Sequence, residues 1–192
     1  MRDVKKLEGY YTYKDYCDWD TDARYELIDG VPHSLEPPDV AHQMALGNLM
    51  FRFIEHLKGK ECRVLFCVDV RLNYEGADDI VVQPDLIVVC DHKKLEDGMT
   101  CKGAPDLVVE VLMPSSAKHD LKVKFDKYRE AGVRELWYAD PKTELLLTYT
   151  LDENGDYIPN PLGSENDKIA AGILPGLVIE VTDIFEPLFF GG

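Results

Sequence analysis

Three residue types recur at spacings that could do hydrolytic chemistry. Asp85 lies inside the apolar run VVQPDLIVVC (81–90), and Glu110 inside a second run, APDLVVEVLMPSS (104–116). A helix-like segment carrying Lys122, Lys124 and Lys127 follows them. Acids within strand-like apolar runs are costly, because a buried carboxylate must be paired, neutralised or bound to a metal. Alternation along residues 106–112 puts Glu110 on one face with Val108 and Leu112, where burial should weaken its acidity unless a cation compensates. Asp85 shares its face with Gln83 and Ile87. Either acid alone could simply pair with Arg or Lys at a strand end. Glu26, in the preceding segment YELIDG (25–30), is a third acid that makes this simple reading harder.

The lysines differ in where they point. Leu121, Phe125 and Tyr128 form an apolar stripe at 3.6 residues per turn, with Ala131 at its edge. Lys124 falls inside that arc, and Lys122 about a quarter-turn outside it. An inward lysine needs an anion. Asp120, four residues earlier, could be the whole answer through an Asp120–Lys124 pair with a snorkelling stem. Alternatively, Lys124 is aimed at the same pocket as Asp85 and Glu110. The acids then suit a hard cation, Mg²⁺ or Mn²⁺, which beside Lys124 could activate water against a phosphodiester.

The elements that must position these groups follow from pattern. Thr12 and Asp15 resemble a capping box and predict a short helix over 13–19. Residues 24–28, Asp29-Gly30 and Val31 predict a half-buried hairpin. Pro37-Pro38-Asp39 predicts the start of a helix over 40–58, with Val40, Met44, Gly47, Phe51 and Ile54 on its inner face and Leu46, Met50, Phe53 and Leu57 widening the stripe. Strands are predicted over 62–72, 80–90, 106–112 and 135–139, with a turn at 74–79 and a polar loop over 91–104. A helix from Pro114-Ser115-Ser116 should end at Gly132. A hairpin across Asn154-Gly155 and a short strand over 177–181 complete the chain. Without repeats, low-complexity segments or linkers, all 192 residues read as a single α/β domain.

Composition limits the partners. The net charge of −15 is wrong for nucleic-acid binding through the overall field. Residues 118–134, with six Lys/Arg against three Asp/Glu, reverse the sign locally, which is also what a solvated helix face would do. The first ten residues hold no apolar segment, so no signal peptide is expected, and no run is long enough for a transmembrane helix. Five cysteines without a CxxC suggest buried thiols in a reducing cytoplasm. P-loop, Rossmann glycine, GxSxG and HExxH patterns are absent.

The ordered series YELIDG (25–30), His42-Gln43, VVQPDLIVVC (81–90), GAPDLVVEVLMPSS (103–116) and KFDKYREAGVRELWYADP (124–141) resembles the Uma family of putative restriction endonucleases, in the PD-(D/E)xK nuclease superfamily. The resemblance spans roughly residues 10–185. It implies a restriction-endonuclease-like fold, with a mixed central sheet flanked by helices after an N-terminal helix and hairpin. It maps the PD acid onto Asp85 and the (D/E)xK acid onto Glu110, with the Val111 carbonyl as third ligand of Mg²⁺ or Mn²⁺. Glu26 becomes a further ligand or a water-orienting acid. Leu112 stands where the standard motif has lysine, and Lys124 on the next helix matches the migrated one. The implied activity is a metal-dependent DNA endonuclease, with DNA as partner, no membrane, and a homodimer to cut both strands. His42 also matches, though a lone histidine at a helix start is more often a cap or core hydrogen-bond partner; with Asp120 and Lys122 it is an accessory candidate. Tyr128 reads as packing. A non-catalytic regulatory protein on the same fold, favoured by the acidity, and a carboxylate-pair glycan hydrolase are the rivals. The glycan hydrolase would need an aromatic cleft.

Overall fold

A computed structural model describes residues 9–186. The expectation about the first ten residues lies almost wholly outside that range. Thr12 and Asp15 do form the predicted box: the Thr12 amide and hydroxyl both donate to the Asp15 carboxylate at 2.8 Å, opening α1 (Tyr13–Cys17). The hairpin follows as β1 (Tyr25–Ile28) and β2 (Val31–Ser34), turning at Asp29-Gly30, both with positive φ. It is not evenly half-buried. All of β1 is buried, because it is covered on one edge by β2 and on the other by β5.

Asp39 caps α2 (Val40–Leu57) by accepting from the His42 amide at 2.9 Å. The predicted inner face of this helix is only partly right: Leu46, Phe53 and Leu57 are buried, but the face is rotated. Val40, Phe51 and Ile54 are exposed, and the buried side is His42, Ala45, Leu46, Asn48, Leu49, Phe53 and Leu57. Apolar residues surround the helix almost completely, so hydrophobicity alone could not orient it. What fixes it is the 42–46–49–53–57 ridge, with Phe53 meeting Trp137 edge-on at 5.6 Å between ring centres.

Both long strands predicted next are broken. Residues 62–72 give β3 (Arg63–Phe66) and β4 (Val70–Arg71), separated at Cys67, whose φ is +53°. Residues 80–90 give β5 (Val81–Val82) and β6 (Leu86–Val89), separated by Gln83-Pro84-Asp85. Pro84 has no amide to donate to a ladder, so the chain leaves one sheet there and enters another. The supposed loop over 91–104 contains a short 3₁₀ turn (His92–Leu95) and β7 (Cys101–Lys102). Beyond it come β8 (Leu107–Val111), a π-helix (His119–Lys124), α3 (Phe125–Ala131), β9 (Glu135–Asp140), β10 (Leu145–Leu151) and β11 (Tyr157–Pro159). The chain then forms β12 (Lys168–Ala170), β13 (Val178–Glu180) and α4 (Val181–Phe185). Asn48 fastens the tail by donating to the Ile184 and Glu186 carbonyls at 3.0 and 2.9 Å.

The strands make a mixed six-stranded sheet, ordered β11-β10-β9-β8-β6-β3, and a five-stranded sheet, ordered β2-β1-β5-β4-β7, with a β12-β13 pair alongside. Alternation along β8 splits the core as expected. Leu107, Val109 and Val111 join α2 and the tail on one side; Val108 and Leu112 join α3 and the smaller sheet on the other. Both β8 and the Asp85 break therefore sit where the two sheets meet.

The cysteine expectation needs correcting. Cys62 and Cys90 form a disulfide, and Cys17 and Cys67 are exposed; only Cys101 is a buried thiol. The cause is register: β3 and β6 pair Arg63 with Val89, which puts Cys62 opposite Cys90. Gly132 does close α3, at φ +86° with open space around it. Gly132→Ala should therefore cost about 1–2 kcal/mol from left-handed backbone alone, read as a lower urea midpoint with an unchanged slope.

Candidate active site

Glu26, Asp85, Glu110 and Lys124 come from four separate segments and line one cavity of about 510 Å³. Glu26 arrives on β1 and Glu110 on β8. Asp85 comes from the break between β5 and β6, directly before the Leu86–Val109 pair that aligns it with Glu110. Lys124 is the last residue of the π-helix. Its ammonium lies 2.5 Å from Glu110 Oε1, 2.9 Å from Glu26 Oε1 and 3.6 Å from Asp120 Oδ1. The simple Asp120 pair is thus the longest of its three contacts. Asp120 instead accepts from the Ser116 hydroxyl at 2.7 Å. Lys122 is exposed on the outer side of the helix and is not brought to the cavity.

The partners of each acid differ. Glu26, fully buried, also accepts from the Gln83 amide at 2.8 Å. Burial opposes its charge, but Lys124, His119 and that amide outweigh burial and hold its carboxyl at about 2. Because the folded carboxyl takes up its proton less readily than the unfolded one, its contribution is complete above the ordinary value of 4.5 and disappears as pH falls toward about 2. A contribution on the order of 3 kcal/mol should be lost across that window. Melting curves between pH 7 and pH 2 should show it, and Glu26→Gln should flatten that part of the profile.

Glu110 is pushed the other way. Burial raises its pKa, Lys124 opposes this, and the negative neighbours Asp120, Asp85 and Glu26 add to it. Lys124 itself stays charged: burial opposes its charge, but three carboxylates overcome that. Three carboxylates thus face one buried ammonium, with Asp85 beside Glu110 as a fourth in the cavity. Tyr128, expected only to pack, donates its hydroxyl to Glu110 Oε1 at 2.5 Å. Asp85 Oδ2 accepts from the Val111 amide at 2.8 Å and contacts His42 Nε2 at 3.1 Å.

These contacts decide whether a divalent cation fits. Among the described residues, no three His, Cys, Asp or Glu side chains converge as ligands, so the site is not a closed protein cage. Asp85 uses only Oδ2 and Glu110 only Oε1 in the contacts above, so each keeps a second carboxylate oxygen. Two carboxylates in an open cavity with surplus negative charge suit Mg²⁺ or Mn²⁺, which keep several waters and take one or two protein carboxylates. Glu26, held through Oε1 by Lys124 and Gln83, likewise keeps Oε2, which faces His119 Nε2 at 3.8 Å.

Gln83, Ser116 and His119 were missed in the sequence. Gln83 acts through its backbone, which leaves no side-chain signal. His119 lies outside any 3.6-residue stripe containing Lys124, and the helix here is not an α-helix.

The family model for Uma2, described as putative restriction endonuclease, matches residues 12–182. The chain belongs to the Uma2 family. An uncharacterized Synechocystis protein, slr1290, is 24% identical over 157 residues, covering 76% of each chain. A crystal structure of a putative nuclease belonging to DUF820 from Anabaena variabilis superposes with a TM-score of 0.74 at 16% identity, covering 91% of this chain and 97% of the other. At that identity the likeness establishes the fold, a mixed α/β architecture shared with that protein. In this Uma2 protein no described helix is long and apolar enough to cross a membrane.

Proposed function

We propose that this Uma2 protein is a metal-dependent endonuclease that hydrolyses phosphodiester bonds in DNA. The observation that carries the reading is the buried Lys124 ammonium held between Glu26 and Glu110, beside Asp85, in one open cavity. Asp85, Glu110 and the Val111 carbonyl would hold Mg²⁺ or Mn²⁺, which when bound would polarise a phosphoryl oxygen and ease ionisation of water. The protein's own groups do the positioning. The Val111 amide and His42 fix one oxygen of Asp85, and Tyr128 fixes one of Glu110. Glu26 keeps Lys124 charged and in place. The ammonium then offers fixed positive charge where negative charge develops on the phosphoryl group.

The cavity lining favours this over the glycan reading, since it includes no Phe, Tyr or Trp among the described residues. Arg24 and Lys124 share the lining with Glu26, Glu36, Asp85, Glu110 and Asp120, so a bound divalent cation would offset the surplus negative charge toward a polyanion. The reading extends to one domain over 1–192, to a homodimer that presents two sites to two strands, and to a cytoplasmic location. That location follows from a DNA substrate and not from the cysteines, since the Cys62–Cys90 disulfide removes the thiol argument.

Incubating plasmid, single-stranded and branched DNA with Mg²⁺ or Mn²⁺ tests the activity. Wild type should cleave at least one of them in a metal-dependent way, and Asp85→Asn should be slower by about 100-fold or more. No cleavage with either metal, or equal cleavage in chelator, would refute the proposal.

A further inference from the structure

His119 and Lys124 begin and end the π-helix. In an α-helix, residues five apart point about 140° away from each other. The wider π turn draws them together, and both meet the same carboxylate. Lys124 Nζ is 2.9 Å from Glu26 Oε1, and His119 Nε2 is 3.8 Å from Glu26 Oε2. The widening has a local cause. The Asp120 carbonyl accepts from the Phe125 amide five residues on, and also from the Tyr138 hydroxyl at 2.8 Å, reaching in from β9. A donor inserted into the ladder is a recognised way of disturbing α-helical turns.

The other side of His119 is built as well. Its ring lies 4.9 Å from the ring of His33, and His33 is the cross-strand partner of Glu26 in the first hairpin. Glu26 Oε2 and His119 Nε2 are both buried, and neither has a hydrogen-bond partner among the described residues. Their closest available complement is each other. A fully buried carboxylate with one oxygen held by lysine and the other facing an imidazole has little freedom to turn. Nothing in the Uma2 motif series assigns His119 a role.

We propose that His119 is a positioning residue: by facing Glu26 Oε2 across the π-turn it fixes the Glu26 carboxylate, and through it the Lys124 ammonium beside Glu110. This rests on the nuclease reading for its effect on catalysis, but not for its effect on Lys124. The imidazole contributes an N–H aimed at the carboxylate, so shape alone cannot replace it. His119→Gln keeps an N–H donor at similar reach, whereas His119→Leu keeps bulk without a donor.

The test compares full-length wild type, His119→Ala, His119→Leu and His119→Gln by two readouts. One is NMR of the Lys124 side chain, following exchange of its Nζ protons with water. The other is DNA cleavage, separated into kcat and KM. Exchange at Lys124 should quicken by about tenfold or more in the Ala and Leu variants and stay near wild type in Gln. In the same variants kcat should fall by about 10–100-fold with KM within about twofold, with Gln restoring most of it. Unchanged Lys124 exchange in both Ala and Leu, or rescue by Leu as complete as by Gln, would overturn the proposal. If wild type cleaves no DNA, the nuclease reading fails while Lys124 exchange still decides the role of His119.

Discussion

Lys124→Ala should destabilise the protein by about 3–5 kcal/mol at pH 7, because it leaves buried carboxylates without their cation. Glu26 is fully buried and Glu110 nearly so, and both take Lys124 as their closest charged partner. With the ammonium gone, burial dominates both acids, so Glu26 joins Glu110 in having a folded pKa above its unfolded one. Groups shifted in that direction contribute stability at low pH and lose it as pH rises. The variant should therefore recover much of its deficit between pH 7 and pH 4, whereas wild type, in which Glu110 is shifted upward but Glu26 downward, should gain less over that range. Urea titrations at the two pH values measure both effects. A pH-independent loss of the same size would point to lost packing alone.

Glu110→Gln should do the reverse to the fold while disabling the site. Glu110 is the acid whose charge is least favoured, since burial and three neighbouring carboxylates work against it and outweigh Lys124 and the Tyr128 hydroxyl. Neutralising it removes one of four negative charges and leaves Lys124 paired with Glu26 at 2.9 Å. The Tyr128 hydroxyl can still donate to an amide oxygen. Stability at pH 7 should hold or rise by up to about 1–2 kcal/mol, while affinity for Mn²⁺ should fall by about tenfold or more. Gain of stability together with loss of metal affinity is the signature of a charge kept for function.

Much of this arrangement is readable from residue types. Asp-Gly at 29–30, Gly132 and the Thr12–Asp15 box each have one dominant local conformation, and the structure adopts it. Alternation in β8 separates Glu110 from Leu107, Val109 and Val111 as a strand must. The unread parts depend on tertiary contacts. The apolar run over 80–90 carries no mark that its halves belong to different sheets except Pro84. Helix α2 is apolar nearly all round, so its buried ridge is chosen by Trp137 and the tail and not by its own pattern.

The lysine helix is the most instructive difference. A 3.6-residue wheel places Lys124 inside, and it is 3% exposed; the same wheel places Leu121 inside, and it is 42% exposed. Both outcomes follow from the π-turn, which Tyr138 of another strand helps impose through the Asp120 carbonyl. A pairing such as Cys62–Cys90 is likewise visible only once β3 and β6 are in register.

Calorimetric titration with Mn²⁺ of wild type, Asp85→Asn and Glu110→Gln tests the central claim most directly. Wild type should bind, and each variant should lose affinity by about tenfold or more while remaining folded. Equal affinity in all three proteins would contradict a metal held by Asp85 and Glu110.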